Sequence, residues 1–148
     1  MPDKIHLTVA SVVVRDGKYL MVKEIDNDQL VINQPAGHVE PGEDIIDAAV
    51  RETYEETGWH TKVTAFIGIY SSTSPITGIT YYRLAFAAEA LTFNEKAIID
   101  TDINEVVWLT SKEIHGNLDQ LRSELVLDCI SDFEHGKLFP IEIVRNRL

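Results

Sequence analysis

The chain has 148 residues and a formal net charge of −11, which results from 24 acidic and 13 basic residues. Hydrophobic residues make up 45% and charged residues 25% of the chain, as in average globular proteins, so we expect one domain spanning residues 1–148. The acidic balance disfavours nucleic-acid polymers as partners, and the lack of an export signal or of about 18 consecutive apolar residues disfavours a membrane partner, which predicts a soluble, cytoplasmic protein.

The first predicted elements are two strands. Residues 5–14 (IHLTVASVVV) and 19–24 (YLMVKE) are rich in β-branched and apolar side chains. A turn signal, Asp16-Gly17, separates them and predicts a β-hairpin. Residues 34–42 contain two prolines and two glycines, which is typical of a loop rather than of a helix or a central strand.

A helix is predicted from Glu43 to Thr57. This stretch contains no glycine or proline, it begins with acidic residues that favour the positive end of the helix dipole, and Gly58 follows it. Downstream, Thr61–Ser72 and Ile79–Ala90 flank a loop rich in Ser, Thr, Pro and Gly and predict a second hairpin. The apolar run Val106–Leu109 predicts a short buried strand.

The end of the chain is predicted to be helical. Thr110 begins a helical turn, and Asn117–His135 has the apolar spacing of an amphipathic helix that ends at Gly136. Cys129 on this helix is the single cysteine, which excludes an internal disulfide. The elements together predict an α+β fold: a mixed central sheet with the first helix on one face and the C-terminal helix on the other, an α/β/α sandwich.

Three glutamates of the first predicted helix share one face. At about 100° per residue, Glu52, Glu55 and Glu56 fall close together, where their charges repel each other. Carboxylates in this arrangement suit Mg²⁺ or Mn²⁺, although the spacing alone also fits a solvated acidic face. Arg51 can offset the repulsion, and the turn at residues 37–42 offers backbone groups for a metal or a phosphate.

These residues belong to a longer pattern. Gly37 is followed after five residues by Glu43, and after seven more by residues 51–59 (RETYEETGW). The pattern resembles the signature box of the Nudix hydrolases, with Thr53 as a mild departure at a position where the family prefers an aliphatic residue. The resemblance implies the Nudix fold and the hydrolysis of a phosphoanhydride in a small-molecule substrate. It also implies Mg²⁺ as cofactor, with Mn²⁺ as a substitute.

The resemblance also assigns roles within the box. The implied metal ligands are Gly37, through its carbonyl, and Glu52, Glu55 and Glu56. The pair formed by Arg51 and Glu43 is implied to brace these ligands, and Glu52 is the first choice for the general base.

Segments outside the box resemble one branch of the family. They are residues 33–40 (NQPAGHVE), 100–103 (DTDI) with Trp108, 121–126 (LRSELV) and 139–142 (FPIE). Similar bacterial phosphatases release orthophosphate from nucleoside tri- and diphosphates and act on hydroxymethylpyrimidine or thiamine pyrophosphate. Two alternatives stay open: a pyrophosphohydrolase of oxidised dNTPs or dinucleoside polyphosphates, and a Nudix-shaped sensor without turnover. The sequence leaves a monomer and a homodimer equally open.

Two acidic residues before Trp108 are further candidates. Asp102 and Glu105 lie where Nudix enzymes often place an extra metal ligand or an alternative base, and an exposed acidic loop is the other interpretation. Asp102 is the preferred catalytic candidate of the two.

Five further residues are candidates for contacts around the substrate. Arg83 has the geometry to clamp a phosphate, unless it is exposed on an edge strand. Tyr81 shares its strand face and is a candidate for stacking on a base, with core packing as the alternative. Arg122 contacts the substrate or forms a surface pair. His38 is a site residue or a loop histidine that bonds only backbone, and Glu40 contacts a second metal or only the turn.

Overall fold

The computed structural model describes residues 4–147. Its strands are β1 (Ile5–Arg15), β2 (Lys18–Asp26), β3 (Gln29–Asn33), β4 (Ala36–His38), β5 (Trp59–Thr73), β6 (Thr80–Phe93) and β7 (Ile103–Thr110). Its α-helices are α1 (Ile45–Thr57), α2 (Ser111–His115) and α3 (Glu124–Glu134), and 3₁₀ turns occupy Leu118–Gln120 and Ile141–Ile143. No helix within residues 4–147 has the length and apolar character needed to cross a membrane.

The strands form a mixed sheet that opens into a fork. The strand order is β3-β2-β1-β6-β5, with β4 paired to β1 and β7 paired to β2. Strands β1 and β6 are parallel, and the other pairs are antiparallel. Strands β1 and β2 pair only beside their turn, at Val14↔Tyr19 and Arg15↔Lys18. Beyond that point β1 pairs with β4 instead. We call the space where β1 and β2 separate the fork.

Each face of the sheet has its own hydrophobic core, because successive residues of a strand point to opposite faces. On β1, Val12 packs in one core with Val126 and Ile130 of α3. Its neighbour Val13 packs in the other core with Ala48 of α1. The two helices therefore cover opposite faces, which confirms the predicted α/β/α sandwich with a mixed sheet.

The predicted first helix is confirmed, but it begins at Ile45 rather than Glu43. Asp44 caps it, since its carboxylate accepts hydrogen bonds of 2.7 and 3.0 Å from two backbone amides of the first turn. Gly58 ends the helix with a φ of 80°, a left-handed conformation that favours glycine.

Thr53 fits the buried face of α1 despite its polar side chain. It is fully buried, and its hydroxyl forms hydrogen bonds with the Ala49 carbonyl (2.8 Å) and the Ser11 hydroxyl (2.9 Å). The hydroxyl is therefore satisfied within the core, which explains how threonine replaces an aliphatic residue here.

Both predicted hairpins are confirmed, but the predicted loop at residues 34–42 is wrong in its middle. Ala36–His38 forms β4, and Gln29–Asn33 forms β3 without a predicted counterpart. Strand β4 exists because the fork leaves the edge of β1 free to pair with it, which no local pattern reveals. The strand predicted at Val106–Leu109 is confirmed within β7, but its side chains are half-buried rather than buried.

The predicted helix from Asn117 to His135 is wrong in its first part. A 3₁₀ turn comes first, and Leu121 then forms a β-bridge with Ile32. The backbone amide of Arg122 donates a 2.9 Å hydrogen bond to the Ile32 carbonyl, so the chain adopts extended geometry there. Helix α3 begins only after Ser123, whose side chain caps it. The predicted helical turn after Thr110 is confirmed as α2.

The cap of α1 provides a test of the fold. Replacing Asp44 with Ala should lower the free energy of unfolding by about 1 kcal/mol, because two amides lose their acceptor. Urea denaturation followed by circular dichroism measures this change. Asp44→Asn is the control and should stay close to wild type, since asparagine caps helices equally well. Equal losses in both variants would contradict the capping role.

Candidate active site

Three carboxylates converge beside α1. Glu52 and Glu55 on the helix and Asp100 in the loop between β6 and β7 each offer an oxygen atom, and these atoms all lie within 4.8 Å of one another. The backbone amide of Asp100 donates a 3.0 Å hydrogen bond to the Glu55 carbonyl, which fixes the loop to the helix. We call these three residues the carboxylate cluster.

Asp100 was not among the candidate site residues predicted from the sequence. The predicted neighbour, Asp102, is exposed and is not part of the carboxylate cluster. Glu105 lies 3.7 Å from the Lys23 ammonium, in a surface ion pair. The acidic character of residues 95–105 was a signal for this loop, but only the bond to α1 selects which carboxylate faces the glutamates.

Arg51 links the cluster to the start of the helix. Its guanidinium donates hydrogen bonds to Glu52 (2.8 Å) and Glu55 (3.2 Å) and two further bonds to Glu43 (2.6 and 2.9 Å). A further bond of 3.0 Å reaches the backbone carbonyl of His38. The hydrogen bond from Arg51 lowers the pKa of Glu43, and the surrounding carboxylates raise the pKa of Arg51. The cation thus offsets repulsion among the carboxylates.

Gly37 lies directly against the Glu52 carboxylate. A Cβ atom at position 37 would lie 2.1 Å from Cδ of Glu52, so a side chain there would displace the carboxylate. The backbone of β4 therefore forms one wall of the cluster. Burial raises the pKa of Glu52 despite the opposing effect of Arg51.

Glu56 lies beneath the cluster and is almost completely buried. Its carboxylate accepts a 2.9 Å hydrogen bond from the Ala36 amide. Burial raises the pKa of Glu56 to about 8, the Ala36 bond opposes this shift, and the charges of Glu24 and Glu52 add to it. A buried carboxylate that is costly to ionise alone is a favourable ligand for a cation.

The donor set fits a divalent metal ion. All of its side-chain donors are carboxylate oxygens, which Mg²⁺ and Mn²⁺ prefer. Among the predicted ligands, Glu52 and Glu55 belong to the carboxylate cluster, and Gly37 contacts Glu52. Glu56 lies beneath the cluster. Burial, with a smaller contribution from the neighbouring carboxylates, raises the pKa of Glu52, Glu56 and Asp100, so a cation at this place would stabilise their ionised forms.

A buried polar network fills the fork beside the cluster. Arg83 donates hydrogen bonds to the side-chain oxygens of Gln34 (2.9 Å) and Asn33 (3.2 Å). Asn33 donates to Glu24 (3.3 Å), and Glu24 accepts a 2.6 Å bond from Arg122. The exposed edge-strand position considered for Arg83 is wrong, because β6 lies between β1 and β5 and Arg83 is only 8% exposed.

Two members of this network carried no sequence signal as site residues. Glu24 is buried although it belongs to an ordinary strand pattern, and a bulge between Lys23 and Glu24 alters its register. The ion pair that Arg122 forms is not an ordinary surface pair, because its partner Glu24 is buried. Asp26 also lies 3.9 Å from Nε of Arg122. Gln34 is the second member of the network without a sequence signal, and it anchors the network to α3 through a 2.7 Å hydrogen bond to the Val126 carbonyl.

Three aromatic rings line the β1 side of the fork. His6 packs edge to face against Tyr81, with ring centroids 5.2 Å apart, and against His38 at 5.0 Å. The expectation that His38 bonds only backbone is wrong, because its Nε2 lies 2.9 Å from Nδ1 of His6. Burial lowers the pKa of His38, and the charges of His6 and Arg122 add to this effect. Glu40 contacts the turn, where its amide donates to Glu43.

Comparison with known proteins places this arrangement in context. A family model described as the NUDIX domain matches residues 4–129. Phosphatase NudJ of Escherichia coli (strain K12) is 36% identical over 141 residues, which cover 95% of this chain and 91% of that protein. The structure of a NUDIX hydrolase from Nitrosomonas europaea is 39% identical and superposes with a TM-score of 0.94, covering 97% and 98% of the two chains.

A more distant structure supports the fold alone. The MutT NUDIX hydrolase from Burkholderia pseudomallei is 19% identical, with a TM-score of 0.70 over 86% of this chain and 97% of that chain.

The contact between Gly37 and Glu52 can be tested directly. Gly37→Ala should weaken Mn²⁺ binding at least about tenfold, because the new methyl group displaces a carboxylate of the cluster. Thermal stability should change little, since the end of a flexible side chain can move. Mn²⁺ titration followed by electron paramagnetic resonance measures the affinity.

The control for this variant is Gly116→Ala at the end of α2. A Cβ at position 116 would meet its nearest neighbour at 3.4 Å, an ordinary contact. If Gly37→Ala binds Mn²⁺ as tightly as Gly116→Ala does, Glu52 is not held against Gly37 for metal binding.

The raised pKa of Glu56 predicts a pH dependence of stability without metal. The native carboxyl of Glu56 binds its proton more tightly than the unfolded one does. Its contribution to the free energy of unfolding is therefore fully present below the ordinary pKa of 4.5 and is lost as the pH rises through about 8. The shifts of Glu52 and Asp100 have the same sign. In EDTA, the melting temperature should therefore fall between about pH 5 and about pH 9.

Glu56→Gln should reduce this decline, because the amide never ionises. In millimolar Mg²⁺ at high pH, the melting temperature of wild type should rise more than that of the variant, so that wild type becomes the more stable protein. Identical melting curves for wild type and Glu56→Gln at every pH in EDTA would contradict the buried-carboxylate assignment.

Proposed function

The chain belongs to the Nudix hydrolase family, and we propose that it is a Mg²⁺-dependent phosphatase acting on nucleoside tri- and diphosphates. Mn²⁺ is proposed as a substitute. The observation that carries the proposal is the carboxylate cluster, packed against the backbone of Gly37 and held by Arg51. A cluster of this charge would repel a polyphosphate unless a cation were present.

We assign the metal to Glu52, Glu55, Glu56 and the Gly37 backbone, with Asp100 as an additional ligand. A bound divalent cation supplies charge neutralisation to the phosphoanhydride and lowers the pKa of water. Arg51 and Glu43 hold the carboxylates in place through charge-assisted hydrogen bonds. Their contribution is to position the ligands before the substrate arrives.

Glu52 is the proposed general base. Its pKa is raised by burial, so it accepts a proton more readily than an exposed carboxylate does. Water attacks the terminal phosphorus and Glu52 takes a proton from that water. The phosphoanhydride bond breaks, and the products are orthophosphate and the nucleotide shortened by one phosphate. Asp102, which is exposed, is the alternative base.

The fork is the proposed substrate side of the site. Arg122 is 44% exposed at its side chain, so it can extend toward a phosphate group while it remains near Glu24. Arg83 is buried, and we propose that its charge attracts the substrate anion while Gln34 and Asn33 hold the guanidinium. Tyr81 presents a half-buried ring beside His6 for the substrate's heterocycle.

The similarity to a protein named as a phosphatase supports the release of orthophosphate. We propose hydroxymethylpyrimidine and thiamine pyrophosphates as further substrates. Pyrophosphate release from dNTPs or dinucleoside polyphosphates is the competing reaction, and binding without turnover is the competing non-enzymatic function. A cytoplasmic location and a monomeric or homodimeric state remain sequence predictions.

A product assay tests the proposal. With GTP or GDP and Mg²⁺, malachite green should detect orthophosphate without added inorganic pyrophosphatase, and EDTA should abolish it. Orthophosphate that appears only after pyrophosphatase is added would replace the phosphatase proposal with the pyrophosphohydrolase. Binding of GTP without any product would favour the sensor.

Two variants connect the assay to the cluster. Glu52→Gln should lower kcat by a factor of about a hundred or more, as expected for loss of a general base and metal ligand. Glu89→Gln on β6 is the matched control and should retain wild-type kcat, since Glu89 is exposed, lies opposite Lys62 of β5 and is not part of the carboxylate cluster. A kcat for Glu52→Gln within about tenfold of this control contradicts the assigned role.

A further inference from the structure

Two histidines from different strands form a hydrogen-bonded pair at the edge of the site. Nδ1 of His6 on β1 lies 2.9 Å from Nε2 of His38 on β4. The pairing of β4 with β1 places them together, because Thr8 lies opposite His38 and His6 is two residues along on the same face. Tyr81 packs edge to face on His6 at 5.2 Å and restricts the orientation of that ring.

The hydrogen bond couples the protonation of the two rings. One of the bonded nitrogens carries a proton and the other does not. When both rings are neutral, each carries one N–H proton. If His6 Nδ1 is the donor, His38 Nε2 accepts and the proton of His38 lies on Nδ1. If His38 Nε2 is the donor, His38 Nδ1 carries no proton. Within the described residues, His38 Nδ1 and His6 Nε2 have no hydrogen-bond partner. The tautomers of the two rings are therefore linked: with both rings neutral, His38 Nδ1 is a donor only when His6 Nδ1 is the donor within the pair.

The pair is adjacent to the carboxylate cluster, where the proposed function puts a phosphate group. His38 directly follows Gly37, which contacts the Glu52 carboxylate. Arg51 fixes the backbone of His38 through a 3.0 Å hydrogen bond to its carbonyl. Arg122 is close enough to act electrostatically on the His38 ring. His38 is thus one residue from the contact of Gly37 with the cluster, and its ring is within electrostatic reach of a second cation, Arg122.

We propose that His38 Nδ1–H donates a hydrogen bond to a non-bridging oxygen of the substrate's diphosphate group, and that His6 is the positioning residue that holds His38 in this tautomer. The inference rests on the proposed function and adds two residues to it. Phosphate oxygens only accept hydrogen bonds, so the substrate requires a donor at His38 Nδ1. This requirement makes His6 Nδ1 the donor within the pair.

Kinetics of three variants test the positioning role. His6→Phe keeps a ring beside Tyr81 but removes the donor, and it should lower kcat/KM for GDP about tenfold through KM, the effect of losing a hydrogen bond to a charged group. His6→Asn should remain within about threefold of wild type, because its amide nitrogen is separated from Cβ by the same number of bonds as Nδ1. His115→Phe, on the surface at the end of α2, is the matched control.

A fall of less than about threefold for His6→Phe relative to His115→Phe would overturn the proposal. Equal losses in His6→Phe and His6→Asn would also overturn it, because the asparagine amide would then have failed to replace the donor. Circular dichroism of each variant verifies folding before the comparison is made.

The ¹⁵N chemical shifts of the histidine rings give a readout independent of turnover. Methylenebisphosphonate, a diphosphate that is not hydrolysed, is added with Mg²⁺ to ¹⁵N-labelled protein. We expect His38 to carry its proton on Nδ1 in this complex, and a proton on Nε2 overturns the inference. If wild type hydrolyses neither GTP nor GDP, the proposed function fails, whereas the tautomer in this complex still decides the role of the pair.

Discussion

The mutual repulsion of carboxylates held close together is the constraint on which the rest of this structure depends. Glu52, Glu55 and Asp100 lie within 4.8 Å of one another at their oxygen atoms, and Glu56 is buried beneath them. Like charges at this separation oppose folding. The fold offsets this cost with a single guanidinium, that of Arg51, and with the bond from the Ala36 amide to Glu56. A divalent cation would complete the compensation, and metal binding and local stability would then be linked.

The fork in the sheet explains why so much polar chemistry is gathered in one place. If β1 and β2 had paired along their full length, no opening would separate them. Their early divergence leaves room for β4, which brings Gly37 against α1 and His38 against His6. The same opening is filled by the network from Gln34 to Arg122. Buried polar groups are tolerated there because each is hydrogen bonded.

The location of the negative charge resolves an apparent conflict in the composition. A net charge of −11 opposes binding of an anionic substrate at long range. Most of this excess lies in residues 40–56 and 95–105, which hold eleven acidic residues and two basic ones. These stretches supply the residues of the carboxylate cluster, where a bound cation would offset the local negative charge. Arg83 and Arg122 lie outside these two acidic stretches, in the network of the fork.

The sequence by itself determined the elements whose signals are local: both hairpins, helix α1 with its glycine stop, and the face shared by Glu52, Glu55 and Glu56. Turn residues and helical periodicity act between near neighbours, so the sequence contains them in full. Only the tertiary structure decided that Asp100 rather than Asp102 joins the glutamates, since a bond from its amide to Glu55 selects it. It also decided that Arg122 leaves the helix, that Arg83 is buried, and that His6 meets His38. Each of these depends on partners distant in sequence, because packing and strand pairing override local preference where the two disagree.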